Sequence, residues 1–380
     1  MIGLRWQWAR RALVCLLAAA IVPSACARTL TVGANQVFPT VRRALGAAQS
    51  GDVIEIHPGI YEGNLVLDRS VSVIGVGRPL VDLGGRGSGV HIWNSERATL
   101  TGNTITQVRD GMYLQNTYHS VIRNNRIFNL RYGLHYMWSD DNVFEDNLFY
   151  DNVAGAAVMY SRRIQMRRNV FRHNRGYSSY GILFQENDDC ILEDNIISDN
   201  AVGIFMEAMR RGTVRRNLIS ANDVALQVFQ SAADNLFENN NFIDNLSPML
   251  LIGGKTSTRW NGLAHGNYWD DYDGYDLDGD GVGDMPHKIV NVFDHLEGNH
   301  PRLRLYLFSA AAQALALAER GFPVLEQAAE EDAKPLMRPV ALPFRAPELH
   351  GGPSRRTRAA IVPIAMLLIS IIAMLKAGRP

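Results

Sequence analysis

One asparagine recurs through the middle of the chain, at positions 103, 125, 147, 169, 195, 217 and 240. The steps are 22, 22, 22, 26, 22 and 23 residues. Each opens an asparagine-x-apolar step, as in Asn125-Arg126-Ile127, Asn147-Leu148-Phe149 and Asn195-Ile196-Ile197. A second asparagine follows five residues later, at 152, 174, 200, 222 and 245. A glycine follows eight residues after the first, at 111, 133, 155 and 203, and Gly181 comes later because of an insertion around Gly176 to Ser179. A repeat of this length is one structural unit that buries its apolar face only by stacking on its neighbours.

The period excludes helical repeats. Those carry apolar residues at i, i+3 and i+4, whereas the residues after each glycine alternate. Alternation marks a short strand with one buried face. About 22 residues at roughly 3.3 Å each make a loop near 70 Å around, enough for three short strands and three turns. Coils stacked about 4.8 Å apart let asparagine side chains form hydrogen-bonded ladders, and this regular recurrence favours a structural role over glycosylation or ligand binding. The expected fold is all-β, a right-handed parallel β-helix over residues 28–300. Val53 to Ile56 and Val71 to Ile74 read as early strands. Thr40 to Gln49 reads as a short helix covering the open end, which an exposed strand stack needs.

Both ends carry other signals. Arg5, Arg10 and Arg11 precede the apolar run Ala12 to Val22, and Ala25-Cys26-Ala27 ends it. Residues 1–27 therefore read as an export signal cleaved after Ala27, with an uncut anchor as the alternative. Removal of Cys15 and Cys26 leaves Cys190 alone, so no internal disulfide is expected. After the repeat, near Gly266-Asn267-Tyr268-Trp269, a C-terminal helix is expected over 301–322 and a Pro-rich linker or extended arm over 323–358. Residues 359–375 are almost wholly apolar between basic flanks. They span about 25 Å as a helix, the short limit for a membrane crossing, or else a helix buried against a partner. Such a tether holds the exported domain at the inner membrane with its C-terminus inside. Lys plus Arg equals Asp plus Glu, 38 each. That balance argues against nucleic acid as a partner.

Three places carry possible chemistry. On the strand after each glycine the second and fourth positions point outward, where Tyr113, Leu183, Phe205 and Phe229 give an apolar wall suited to a partner. The same wall holds His135 and Met137, roughly 7 Å apart along one strand, and Met159 on the next coil. Imidazole and thioether donors suit Cu(I), although methionine also packs under partners. A second place is Asp276, Asp278, Asp280 and Asp284, at positions 1, 3, 5 and 9 of a calcium-type loop, with Gly281 at the sharp turn. His287 stands at position twelve, where such loops carry glutamate, so Ca²⁺ binding needs a further ligand. The third is Asp140-Asp141 and Asp188-Asp189, two coils apart with Arg162 and Arg163 between. Paired carboxylates serve polysaccharide lyases, hydrolases and epimerases on this fold, but solvated turns carry them too.

The block GNYWDDYDGYDLDGDGVGD at 266–284, with the Ala44 to Gly59 block, the asparagine coils and the Phe308 to Pro323 stretch, resembles the NosD family over about residues 30–325. The resemblance implies a non-enzymatic periplasmic protein that works with an ABC-type ATPase and permease. It implies a lipoprotein copper chaperone as metal source and nitrous oxide reductase as recipient, with copper or a sulfur compound moved for the copper-sulfide centre. It supplies no copper ligands, so His135, Met137 and Met159 rest on the residue pattern, with His265, His287 and His295 as the next candidates. The alternative is a carbohydrate-active enzyme on the same fold, since fold alone does not decide.

Overall fold

The computed structural model describes residues 27–82, 87–290, 292–306 and 330–344, with scattered positions between 309 and 318. The export signal and the 359–375 segment lie outside the described residues, apart from Ala27. No described helix is long and apolar enough to cross a membrane.

The coils stack as expected, into a right-handed parallel β-solenoid of about ten turns. Three parallel sheets of ten, nine and ten strands line it. Each coil sends one strand to each sheet, and strands join a full repeat apart, as when Val121 pairs with Val143 and Arg126 with Leu148. Inward residues such as Leu114, Tyr136, Phe149, Phe171, Phe184 and Phe237 are fully buried. Aromatic rings stack between coils, Phe149 on Phe171 at 4.9 Å and Phe242 on Trp269 at 4.0 Å.

The asparagine columns form two ladders. Asn125 Nδ2 donates to Asn147 Oδ1 and Asn147 Nδ2 to Asn169 Oδ1, each at 3.0 Å, and the ladder runs on through Asn195, Asn217 and Asn240 to Asn267. The second joins Asn152, Asn174, Asn200, Asn222 and Asn245. The same amides cap core-facing backbone carbonyls, such as Ile122 O and Phe144 O, satisfying polar groups that the corners would otherwise leave buried and unpaired. The recurring glycines sit where backbones meet. A Cβ on Gly133 would lie 2.5 Å from Gly155 O, so no other residue fits without a shift.

A helix spans Val41–Ala47, with Thr40 as N-cap accepting from Arg43 N. Val41 and Ala44 join the solenoid core.

Toward the C-terminus an α-helix at Val292–Asn299 precedes the span where a helix is expected, Pro301–Tyr306 is 3₁₀, and Ala310, Ala311, Ala314, Leu315 and Ala318 are α-helical. Pro301 supplies no backbone N–H and disfavours helical geometry just before it, so the α-helix stops at Asn299. This helix docks on the last wall strand, Ser247–Ile252. Gly298 permits the approach, since a Cβ there would stand 2.4 Å from Leu251 O. Residues 330–344, expected within a linker or extended arm, pack on the solenoid as an arm. Glu331–Asp332 pairs antiparallel with His287–Lys288, Leu336 N donates to Asn267 O, and Val340 exchanges two hydrogen bonds with the Asn241 amide. Two buried carboxylates anchor this arm. Glu330 accepts from Trp260 Nε1 at 2.7 Å, and Asp332 from Trp269 Nε1 at 3.0 Å.

Candidate functional site

The wall is the outer face of the nine-stranded sheet. Its second-position column runs His91, Tyr113, His135, Ala157, Leu183, Phe205, and its fourth runs Trp93, Gln115, Met137, Met159, Gln185, Glu207. The register makes Met137 and Met159 direct neighbours. His135 precedes Met137 by two residues on the Tyr132–Met137 strand, so both side chains leave the same face. Ala157, the register partner of His135 and of Leu183, has the smallest side chain of this column and is buried.

His135 is half-buried, with the Tyr113 ring edge-on at 5.0 Å and the Tyr132 ring at 5.2 Å. Burial lowers its pKa, and the Arg131 and Arg109 charges add to this against the opposing Asp110. A lowered pKa keeps the imidazole neutral with a free lone pair at neutral pH, the form that binds metal. Asp110 is itself buried and held by Arg131 at 2.9 Å, whose guanidinium lies 4.6 Å over the Tyr132 ring. Met137 and Met159 are half-buried, so their sulfurs border the surface rather than the core. One neutral imidazole and two thioethers on adjoining coils form a soft donor set, the type that selects Cu(I).

His91 extends this column, and the sequence reading missed it. Its ring stacks on Trp93 at 5.9 Å and meets the edge of Tyr113 at 5.1 Å. Its Nε2 is buried without a hydrogen-bond partner, and burial lowers its pKa. The signal was present: Gly89 stands 22 residues before Gly111 and makes the same close approach, its added Cβ falling 3.0 Å from Gly111 O.

The partner face needs a correction at Phe205. This residue is 8% exposed, inside a cluster with Val202, Val224, Leu250, Tyr180, Leu183 and Phe229. Aromatic neighbours close over it, Tyr180 at 5.0 Å and Phe229 at 5.1 Å. Tyr113, Leu183 and Phe229 remain half-buried at the surface.

At the acidic loop, ligand atoms of Asp276, Asp278 and Asp280 lie within 4.8 Å of one another. Asp284 stands outside this group, and its Oδ2 accepts from Leu277 N at 2.7 Å. Asp276 accepts from Gly279 N and Gly281 N, which lowers its pKa and keeps it ionised. Gly281 has φ of +88°, the left-handed geometry its turn position requires. His287 is turned from the loop, with its ring against Trp269 at 5.1 Å and its Nε2 3.5 Å from Asp271. His265 is exposed, and the side chain of His295 lies outside the described residues. Among the described residues, no group of three or more His, Cys, Asp or Glu ligands includes any of these histidines.

The paired aspartates are engaged in ion pairs. Arg163 bonds Asp141 at 2.6 Å and reaches Asp140 at 3.4 Å, while Arg211 bonds Asp189 at 2.8 Å and reaches Asp188 at 3.4 Å. These arginines hold Asp141 and Asp189 below the ordinary carboxylate range. A general acid needs the opposite shift. Cys190 is buried, and burial pushes its thiol up to about 12, so it is unreactive.

A family model described as "Periplasmic copper-binding protein (NosD)" matches residues 64–274. A Pseudomonas aeruginosa protein, "Probable ABC transporter binding protein NosD", is 36% identical over 124 residues, 32% of this chain and 29% of that protein. Its namesake from Stutzerimonas stutzeri is 29% identical over 117 residues, 31% of this chain and 27% of that protein. The chain thus spans under a third of either relative's length. Among solved structures, an alginate lyase from Paenibacillus sp. aligns with a TM-score of 0.52 over 63% of this chain and 95% of that one. At 15% identity this likeness concerns the fold alone.

Proposed function

The chain belongs to the NosD family, and from that premise we propose that it is a periplasmic accessory protein that acts with an ABC transporter and carries Cu(I) on its outer wall. His135, Met137 and Met159 are the proposed donors. The observation that carries this is their placement: a neutral imidazole and two neighbouring thioethers on one outward face. Copper is cargo here, so a site of two or three soft donors open to the surface fits transient holding better than a closed cage. The recipient proposed is nitrous oxide reductase, through its copper-sulfide centre, with a lipoprotein copper chaperone as the source and the ABC-type ATPase and permease as working partners. Replacing Met137 and Met159 by Leu tests the donor set through Cu(I) affinity.

Three further features have subordinate roles in this reading. Asp276, Asp278 and Asp280 are proposed as a weak Ca²⁺ site that steadies the loop, without the direct help of Asp284 or His287. Residues 359–375 are proposed to tether the protein to the inner membrane beside its permease. The half-buried Tyr113, Leu183 and Phe229 are proposed as the partner-facing part of the wall. The ion-paired state of Asp140, Asp141, Asp188 and Asp189 gives the alternative of a polysaccharide lyase, hydrolase or epimerase no support.

A further inference from the structure

Tyr113 touches both donors of the neighbouring coil. Its ring edge packs on His135 at 5.0 Å, and its hydroxyl stands 3.5 Å from Met137 Sδ. The same hydroxyl stands 3.0 Å from Gln115 Oε1, on its own strand. A phenol has one proton and here has two acceptors, a thioether and an amide oxygen. The amide oxygen is the stronger acceptor. The thioether is the one with a second use, because the lone pairs that accept a proton also bind a soft metal.

We propose that Tyr113 is a positioning residue whose hydroxyl, shared between the Met137 sulfur and Gln115 Oε1 in the metal-free protein, moves wholly to Gln115 when that sulfur takes Cu(I). This rests on the reading of Met137 as a copper donor. The exchange moves no proton off the phenol, and it breaks one weak hydrogen bond while keeping another already within reach. The metal-free sulfur is therefore held toward the wall at little cost. The flanking contacts that fix the ring, His91 at 5.1 Å and His135 at 5.0 Å, involve carbon edges and need no hydroxyl.

The two partners give opposite signs. Tyr113→Phe keeps the ring and deletes the donor that competes for the sulfur, so Cu(I) should bind roughly twofold to tenfold tighter. Gln115→Leu removes the alternative acceptor, so Cu(I) should bind weaker by a similar factor. Both are read on the full chain by anaerobic titration against a chromogenic Cu(I) chelator, beside the Met137→Leu, Met159→Leu double variant. In the unaltered protein, Cu(I) should also shift the tyrosine ultraviolet band to longer wavelength as the phenol gains the stronger acceptor, and Tyr113→Phe should lose that shift. This second reading holds even if Gln115→Leu fails to fold. Copper lost in the double variant with Tyr113→Phe unchanged or weaker overturns the positioning role and leaves the donor site standing. Unchanged affinity in the double variant overturns the donor site and the positioning role with it.

Discussion

Trp269 donates its indole N–H to the buried carboxylate of Asp332 at 3.0 Å, joining the last coil to an arm 63 residues further along the chain. The same carboxylate accepts from Asn267 N at 2.7 Å and Lys334 N at 3.0 Å. Burial still raises its pKa, the hydrogen bonds opposing this only in part. Asp332→Ala leaves these donors buried without an acceptor, at a cost of about 1–3 kcal/mol. The expected result is a lower Tm and new proteolytic cleavage within 330–344. A variant as resistant to protease as the parent would show that the arm is held elsewhere.

Charge alternates in sign from coil to coil along one corner, from Asp140-Asp141 to Arg162-Arg163 to Asp188-Asp189 to Arg210-Arg211. Each exposed pair contributes little alone, but a coil slipped by one repeat would set like charges together. Arg163→Glu should therefore lower stability by about 1 kcal/mol at low salt, with the loss shrinking as salt screens it. Denaturant melts at two salt concentrations check this, and a salt-independent loss would point to packing instead.

The solenoid was legible because its cause is periodic. Asn125 and Asn147 need the same residue type at the same corner, so one coil announces the next. Where the arm docks was not legible, because Glu330 meets Trp260 across 70 residues with no repeating partner, and a Pro-rich stretch reads equally as a linker. Position along a strand placed His135, Met137 and Met159 on one face. It could not show that Phe205 is closed over by Tyr180 and Phe229, since that depends on rotamers across coils. Spacing likewise grouped Asp284 with the other acidic residues, while the backbone turned it to Leu277.

Calcium is expected to act through Asp276, Asp278 and Asp280. Asp278→Asn with Asp280→Asn should lower Tm in the presence of Ca²⁺ and leave it unchanged in chelator, because a ligand stabilises only the state that binds it. Equal shifts in both conditions would rule out the ion.

The proposed membrane tether is open to fractionation. Truncation after Gly352 should move the protein from the membrane fraction to the soluble periplasm. A full chain already soluble in cells lacking the permease would contradict the anchor.

His135, Met137 and Met159 are proposed to hold Cu(I). Leu for Met at 137 and 159 keeps apolar bulk and removes both sulfurs, so the fold and partner binding should persist. Anaerobic titration of the double variant against a competing Cu(I) chelator is the direct test. The double variant should lose Cu(I) affinity by tenfold or more, about 1.4 kcal/mol or greater. Affinity equal to that of the parent protein would contradict it and leave the wall as a docking surface alone.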